Sequence, residues 1–223
     1  MNSIPKNIFK NVNINTHFNS KIIKISKNKK NNYNLYTNNN EFKNYDLVLL
    51  CIPYSQAREL TEDYISFSND HKPEYDPIYT LMLSFKEGTN IKIDGALNLH
   101  DDINFVLRQN FKFPQLEFEN WVLNMSSEYT KKNLDIKNID IEKYACSIFQ
   151  NIFKLKNKPF FIKTHRWLYA QTKTTYNSLS KKKWINSKDN KVFLSGDWVF
   201  GKSLSDAWNA GLQLSHYIKL LDI

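Results

Sequence analysis

The residues whose types and spacing bear most directly on chemistry are Val192-Phe193-Leu194-Ser195-Gly196-Asp197-Trp198, running on into Ser203-Leu204-Ser205-Asp206-Ala207-Trp208-Asn209-Ala210-Gly211. Their order reads as a buried strand, a Gly-Asp turn, and a helix entered through a polar loop. This order builds a site for a polar ligand. The strand fixes the turn, Gly196 lets a ligand approach the backbone closely, and unpaired amides at the helix start favour an anion or a carbonyl oxygen. Asp197 would accept hydrogen bonds from the hydroxyls of a polyol-bearing ligand, and the helix start near Ser205 and Asp206 would face partial negative charge.

A second group lies upstream, in Thr164-His165-Arg166-Trp167-Leu168-Tyr169-Ala170. On an extended chain His165, Trp167 and Tyr169 share one face, and Arg166 and Leu168 share the other. The aromatic face either presents rings to a ligand or packs the sheet. Asp101 and Asp102 are adjacent, so on a strand they point apart and do not form a working acid/base pair. No Ser/His/Asp or Cys/His nucleophilic arrangement is supported by local spacing, and no metal-ligand spacing is present. Cys51 and Cys146 fall on an expected core strand and an expected core helix, which reads as two buried thiols.

The elements that must position these residues follow from periodicity. Alternation over 11–15, 21–26 and 33–37 predicts short antiparallel strands between Lys/Asn turns. Asp46 to Ile52 is continuously apolar after its first residue and reads as a strand buried on both faces, followed by a helix capped by Ser55 with Leu60 and Tyr64 inward. Strands are expected over 78–85, 103–108, 120–125 and 160–170. Between the last two lies a helix capped by Asp140, with Ile141, Ala145, Ile148, Phe149 and Ile152 on one face and Pro159 barring its continuation. Residues 69–77 read as a crossing between lobes, and 171–190 as an exposed loop with a short helix. The final helix carries an apolar stripe of Ala207, Gly211, Leu214 and Ile218, with Gly211 giving close backbone contact. The expected fold class is mixed α/β, with residues 1–72 and 190–223 forming one lobe and 73–189 a second lobe of mixed sheet with flanking helices.

Composition narrows the function classes. A chain of 223 residues that is 41% hydrophobic and 14% aromatic can bury a substantial core and is not a disordered polymer. No apolar run approaches the roughly 20 residues of a membrane span, and residues 1–10 lack the apolar core of a secretory signal, so a cytoplasmic protein is expected. The net charge of +9 invites nucleic-acid binding. Against it, the excess is lysine dispersed among asparagines, and runs such as 27–30 and 181–183 read as solvated turns, so no specific nucleic-acid or membrane partner is expected.

The Gly-Asp strand and turn at 192–198, together with the strand at 164–170, resemble the paired signatures of the renalase-like branch of the amine-oxidase superfamily of FAD-dependent oxidoreductases. Three further segments resemble that family in order. Asn19 to Ile25 with Tyr33 to Tyr36 is similar to its adenine-side hairpin, with Ile22 at the position of the usual Val. Asp46 to Pro53 is similar to the strand-Pro turn beneath the nucleotide, with Gln56 in the helix beyond, and Trp121 to Ser126 to a substrate-domain strand. The resemblance therefore runs over nearly the whole chain. Two departures stand out: Ser205-Asp206 replaces the family's Glu-Gly, and Lys112 and Pro114 lack the Gly and Arg of its Lys-Pro-Gly-Arg-like stretch.

The resemblance implies FAD as cofactor, held by Ile22, Pro53, Gly196, Asp197, Trp198, Ser205, Asp206 and Ala207. It implies His165, Trp167 and Tyr169 as catalytic candidates, and a small reduced substrate, either a nicotinamide isomer or an amine, whose hydride passes to flavin and then to oxygen. Trp198 would either border the flavin or cap the lobe interface. The Gly-x-Gly-x-x-Gly turn that opens such folds is absent from these 223 residues, whose glycines are Gly88, Gly95, Gly196, Gly201 and Gly211. Met1 to Lys6 looks like the interior of the family pattern, with Met1 an internal methionine of a longer ancestral protein. An alternative is therefore a truncated or split C-terminal fragment that pairs with a separate N-terminal half or lacks cofactor and activity. A third reading is a basic RNA-binding protein.

Overall fold

Asparagine supplies the left-handed turns that glycine usually supplies. Of the described non-glycine residues with positive φ, Asn19, Asn31, Asn44, Asn90, Asn98 and Asn190 are asparagines, and the remaining one is Lys154. The asparagine amide hydrogen-bonds its own local backbone and tolerates this region, so a chain with 5 glycines still closes its hairpins. The computed structural model describes residues 3–10, 12–68, 72–176 and 182–221. Their elements are α1 (Ser3–Lys10), β1 (Lys24–Lys27), β2 (Tyr33–Tyr36), β3 (Glu41–Tyr45), β4 (Val48–Leu50), α2 (Tyr54–Thr61), β5 (Tyr75–Phe85), β6 (Gly95–His100), β7 (Ile103–Arg108), β8 (Glu119–Met125), α3 (Ser127–Lys132), α4 (Asn138–Phe153), β9 (Phe161–Thr172), β10 (Ile185–Asn186), β11 (Val192–Leu194), α5 (Asp197–Phe200) and α6 (Leu204–Ile218). A mixed α/β architecture results, arranged as two units: 1–67 with 184–195 and 214–223, and 68–183 with 196–213.

The first unit holds two three-stranded sheets, a meander β1-β2-β3 and a mixed sheet ordered β10-β11-β4. β1 and β2 pair antiparallel with Ile25 opposite Leu35, and Ile25 and Tyr33 are buried. β11 is buried at every residue and runs parallel to β4, with Val192 opposite Val48 and Leu194 opposite Leu50. Several expectations change here. Residues 12–15 form no strand. β3, which is charged and mostly exposed, went unread because it carries no apolar alternation. The apolar run at 46–52 yields a strand only at 48–50. It is buried on one face alone: Leu49 is 52% exposed, and Cys51 is exposed rather than a core thiol. Pro53, not Ser55, occupies the position before α2, because its fixed φ of −55° suits a helix entry, and the buried face of α2 is Tyr54, Ala57 and Thr61 rather than Leu60 and Tyr64.

The second unit is built on one five-stranded antiparallel sheet, ordered β6-β7-β8-β5-β9. β5 and β8 alternate strictly, so Tyr79, Leu81, Leu83 and Phe85 with Trp121, Leu123 and Met125 form a continuous buried face. α4 lays Ile141, Ala145, Ile148 and Phe149 on that face, with the Phe149 ring 5.5 Å from that of Trp121. Truncating such a buried aromatic side chain to alanine costs about 3–5 kcal/mol. Lys137 precedes α4, so Asp140 lies inside the first turn and is not the cap, and Lys154 in the left-handed region stops the helix well before Pro159. Ser126 caps α3 by accepting from the Tyr129 amide. β9 runs on to Thr172, past the expected end at Ala170. Residues 69–71 of the expected crossing and 177–181 of the expected loop lie outside the described residues. α6 buries Ala210 and Leu214, while Gly211 has nothing within 4 Å of where a Cβ would sit, so it makes no close backbone contact.

Candidate functional site

Gly196 connects β11 to α5 with φ 157° and ψ −178°, a region that side-chain-bearing residues rarely occupy. A Cβ there would also stand 3.2 Å from Trp198 Nε1. Trp198 is buried, 2% exposed, and its carbonyl accepts from the Tyr176 amide at 2.9 Å. Between these two residues, Asp197 is half-buried. Its Oδ2 accepts from Thr172 Oγ1 at 2.9 Å, and its carbonyl accepts from the Gly201 amide at 2.7 Å. The other carboxylate oxygen has no hydrogen-bond partner among the described residues. The turn thus holds a half-desolvated acceptor at the end of a buried strand, tied to the last residue of β9. Thr172 was missed from sequence because a threonine at a strand end carries no distinguishing signal.

The start of α6 is capped by its own side chains. Asp206 Oδ2 accepts from the amides of Lys202 and Ser203 at 3.0 and 3.1 Å and from Ser203 Oγ at 2.7 Å, while Ser203 Oγ accepts from the Asp206 amide at 3.2 Å. This reciprocal arrangement is a capping box, and its S-x-x-D spacing is visible in the sequence. The hydroxyl of Ser203 and the neighbouring amides hold the Asp206 carboxyl below the usual carboxylate range. Of the amides expected to be unpaired near Ser205 and Asp206, that of Asp206 is engaged by Ser203 Oγ. Ser205 is exposed and Ala207 half-buried. The Asp206 side chain fills the space over Gly201, where a Cβ would meet its Cγ at 2.0 Å.

His165, Trp167 and Tyr169 are all exposed along β9, so none of them packs the core. The His165 and Trp167 rings lie 4.1 Å apart between centroids, and Tyr169 meets Tyr75 edge to face at 5.1 Å. Register places His165 beside Thr80 and Trp167 beside Ile78, on the sheet face opposite α4. A bulge in β9 between Trp167 and Gln171 interrupts the strict alternation before Tyr169. Arg166, on the other side, donates to the Leu134 carbonyl at 2.6 Å.

In the first unit, Ile22 is half-buried just before β1 and Pro53 is half-buried at the entry to α2. A cleft of about 310 Å³ is bordered there by Lys27, Tyr33, Tyr64 and Asp189. Asp189 accepts from Lys27 Nζ at 2.7 Å, Tyr33 Oη at 3.0 Å and Ser187 Oγ at 2.5 Å. Burial pushes its carboxyl up, but the hydrogen bonds from Lys27, Ser187 and Tyr33 outweigh that and hold it at about 2. Burial, then the bond to Asp189, pushes the Tyr33 hydroxyl far above the ordinary tyrosine value. This knot joins β1 and β2 to the β10–β11 turn, a long-range link that local spacing could not reveal. Among the described residues, no group of three or more His, Cys, Asp or Glu is placed to hold a metal ion, and no helix is long and apolar enough to cross a membrane.

No family model and no curated protein matches the chain. Solved structures do match in fold. A candidate protoporphyrinogen oxidase from Exiguobacterium sp. 255-15 superposes with a TM-score of 0.76 at 13% identity, over 98% of this chain and 51% of that one. An oxidoreductase from Methanosarcina mazei gives 0.61 at 11% identity, over 89% and 49%. Cyclohexylamine oxidase from Brevibacterium oxydans IH-35A gives 0.55 at 10%, over 89% and 47%. The chain thus has the fold of about half the length of these proteins.

Proposed function

We propose that the chain is the flavin-contacting part of an FAD-dependent oxidoreductase of the amine-oxidase type, within its renalase-like branch. The observation that carries this reading is the turn at Gly196-Asp197: a conformation suited to glycine, followed by a half-buried carboxylate with one oxygen still able to accept. Asp197 would accept hydroxyls of the cofactor's ribityl chain, Gly196 would let that chain lie against the backbone, and buried Trp198 would fix the turn from below. Ile22 and Pro53 are assigned to the adenine end by resemblance, and Ser205, Asp206 and Ala207 to the helix beside the cofactor. Because the Asp206 carboxylate is committed to its cap, its part is to hold the helix start in place. When bound, FAD supplies the hydride acceptor for a small reduced substrate, either a nicotinamide isomer or an amine, and returns the electrons to oxygen. His165, Trp167 and Tyr169 would orient that substrate.

A second feature supports a partner. Val48 donates to the Lys191 carbonyl at 2.8 Å and Leu50 accepts from Ser195 at 3.1 Å, so both bond toward β11. In a parallel pair the intervening Leu49 directs its amide and carbonyl the other way, to an edge where the described residues place no strand. We assign that edge to a strand of a dinucleotide-binding unit outside these 223 residues, which would bring the Gly-rich turn for the pyrophosphate. The test is titration of FAD fluorescence with the wild-type chain and with Asp197→Ala. Saturable quenching, weakened at least tenfold by the substitution, supports the reading; quenching that the substitution leaves unchanged, or none, overturns it.

A further inference from the structure

The sheet of the second unit has a face that neither α3 nor α4 covers. Pairing fixes what lies on it. Thr80 stands between Asn124 and His165, and Met82 between Val122 and Lys163, while Phe105 and Leu107 of β7 continue the same rows beside Asn124 and Val122. This face is the reverse of the one that carries Leu81, Leu83 and Leu123. Four adjacent strands, from β9 to β7, make a surface about 14 Å across at the usual strand spacing, room for several fused rings.

Its chemistry is one-sided. The centre is apolar, made by Met82, Val122 and Leu107, with Trp167 standing at its edge and 51% exposed. Of the positions that face this side on β5, β7, β8 and residues 161–167 of β9, Asp76 at the far end of β5 is the one acid, and its carboxylate is paired with Lys131 Nζ. Its other ionisable groups are Lys163 and His165, two residues apart on one strand and so about 7 Å from each other. Thr80 Oγ1 donates to Asn124 Oδ1 at 2.7 Å, which leaves the Asn124 amide hydrogens without a partner among the described residues. Around the apolar centre the groups left to meet a ligand are therefore the Lys163 ammonium, the His165 ring and the Asn124 amide hydrogens, the carboxylate of Asp76 being already paired.

We infer that this face binds a flat, largely apolar ligand carrying a carboxylate or comparable anionic group, and that it excludes an alkylammonium. The rings lie on Met82 and Val122 against the Trp167 edge, and the anion meets Lys163 with His165 and the Asn124 amide beside it. An ammonium on the same ring system would meet Lys163 with no unpaired carboxylate beside it to offset the repulsion, because Asp76 is held by Lys131. The inference rests on the oxidoreductase reading only in taking the ligand to be the substrate, where it sets aside the amine alternative, since binding itself involves no flavin.

The experiment is fluorescence anisotropy of two matched probes, 1-pyrenecarboxylate and 1-pyrenemethylammonium, titrated with the flavin-free chain at neutral pH. The carboxylate is expected to bind at least tenfold more tightly. Lys163→Met should cost it three- to tenfold, Lys132→Met on α3 should cost nothing, and Met82→Glu should reverse the preference. Equal or tighter binding of the ammonium overturns the inference. So does absence of binding by both probes, or an equal loss in Lys132→Met, which would trace the preference to the net charge of +9. A chain that takes the carboxylate probe but not FAD keeps this inference and removes the flavin reading, and the converse pattern does the reverse.

Discussion

Replacing Asp189 with asparagine removes one charge from the knot that joins β1 and β2 to the turn before β11. The wild-type carboxyl sits at about 2 against 3.8 for an unperturbed aspartate. That difference is worth about 2.4 kcal/mol at neutral pH by linkage. The Asp189 side chain is 25% exposed and Lys27 36%, so solvent screening reduces this to about 1–2 kcal/mol. Because the folded value is the lower one, the stabilisation is complete above the unfolded pKa and is lost as pH falls toward the folded one. About two thirds of it disappears between pH 5 and pH 2.5. Urea unfolding of the wild type and Asp189→Asn across that range, followed by circular dichroism, measures the gap. A gap that stays constant with pH would show that the substitution acts through packing or hydrogen-bond geometry, and no gap at neutral pH would show that the knot carries no stability.

Other expectations follow from the same geometry. Ser203→Ala removes one half of the capping box and should lower stability by about 1 kcal/mol, read from the urea midpoint, with Ser203→Thr, which keeps the hydroxyl that both donates to and accepts from Asp206, restoring most of it. Gly196→Ala forces a side chain into the backbone region at φ 157° and toward Trp198, which should cost about 1–3 kcal/mol and alter the near-ultraviolet circular dichroism of buried tryptophan. Burial and Asp189 raise the Tyr33 hydroxyl above its ordinary value of 10.0, so its contribution is complete below that pH and declines as pH rises further. Tyr33→Phe should therefore flatten the loss of stability above pH 10 without the alkaline transition of the wild type.

Much of the architecture is legible in the chain itself. The alternation from Ile78 to Phe85 and from Asn120 to Met125 locates the two central strands, because one face of each is fully buried and the other is not. α4 is equally plain, since its buried residues recur at helical spacing. The failures have a common cause. β3 and β6 are edge-like or exposed strands whose side chains need no apolar pattern, and they exist through backbone pairing with β2 and β7. At the candidate site, the turn at Gly196-Asp197 is readable because a strand, a Gly-Asp pair and a helix follow one another in sequence. The bond from Thr172 to Asp197 joins residues 25 apart and is not readable. Likewise, the S-x-x-D spacing of Ser203 and Asp206 is present in the sequence, but that the two side chains bond to one another and to the helix start is shown only by the structure.

The central claim is that the turn following β11 receives the sugar-alcohol chain of a flavin dinucleotide. Amide chemical-shift mapping on the isotope-labelled chain during titration with FAD tests it directly. The account predicts that the largest shifts fall on Gly196, Asp197 and Trp198, with smaller ones at Thr172 and the start of α6. Shifts centred instead on the lysine-rich turns of β1 and β2, or no shifts at the Gly-Asp turn at saturating FAD, would contradict it.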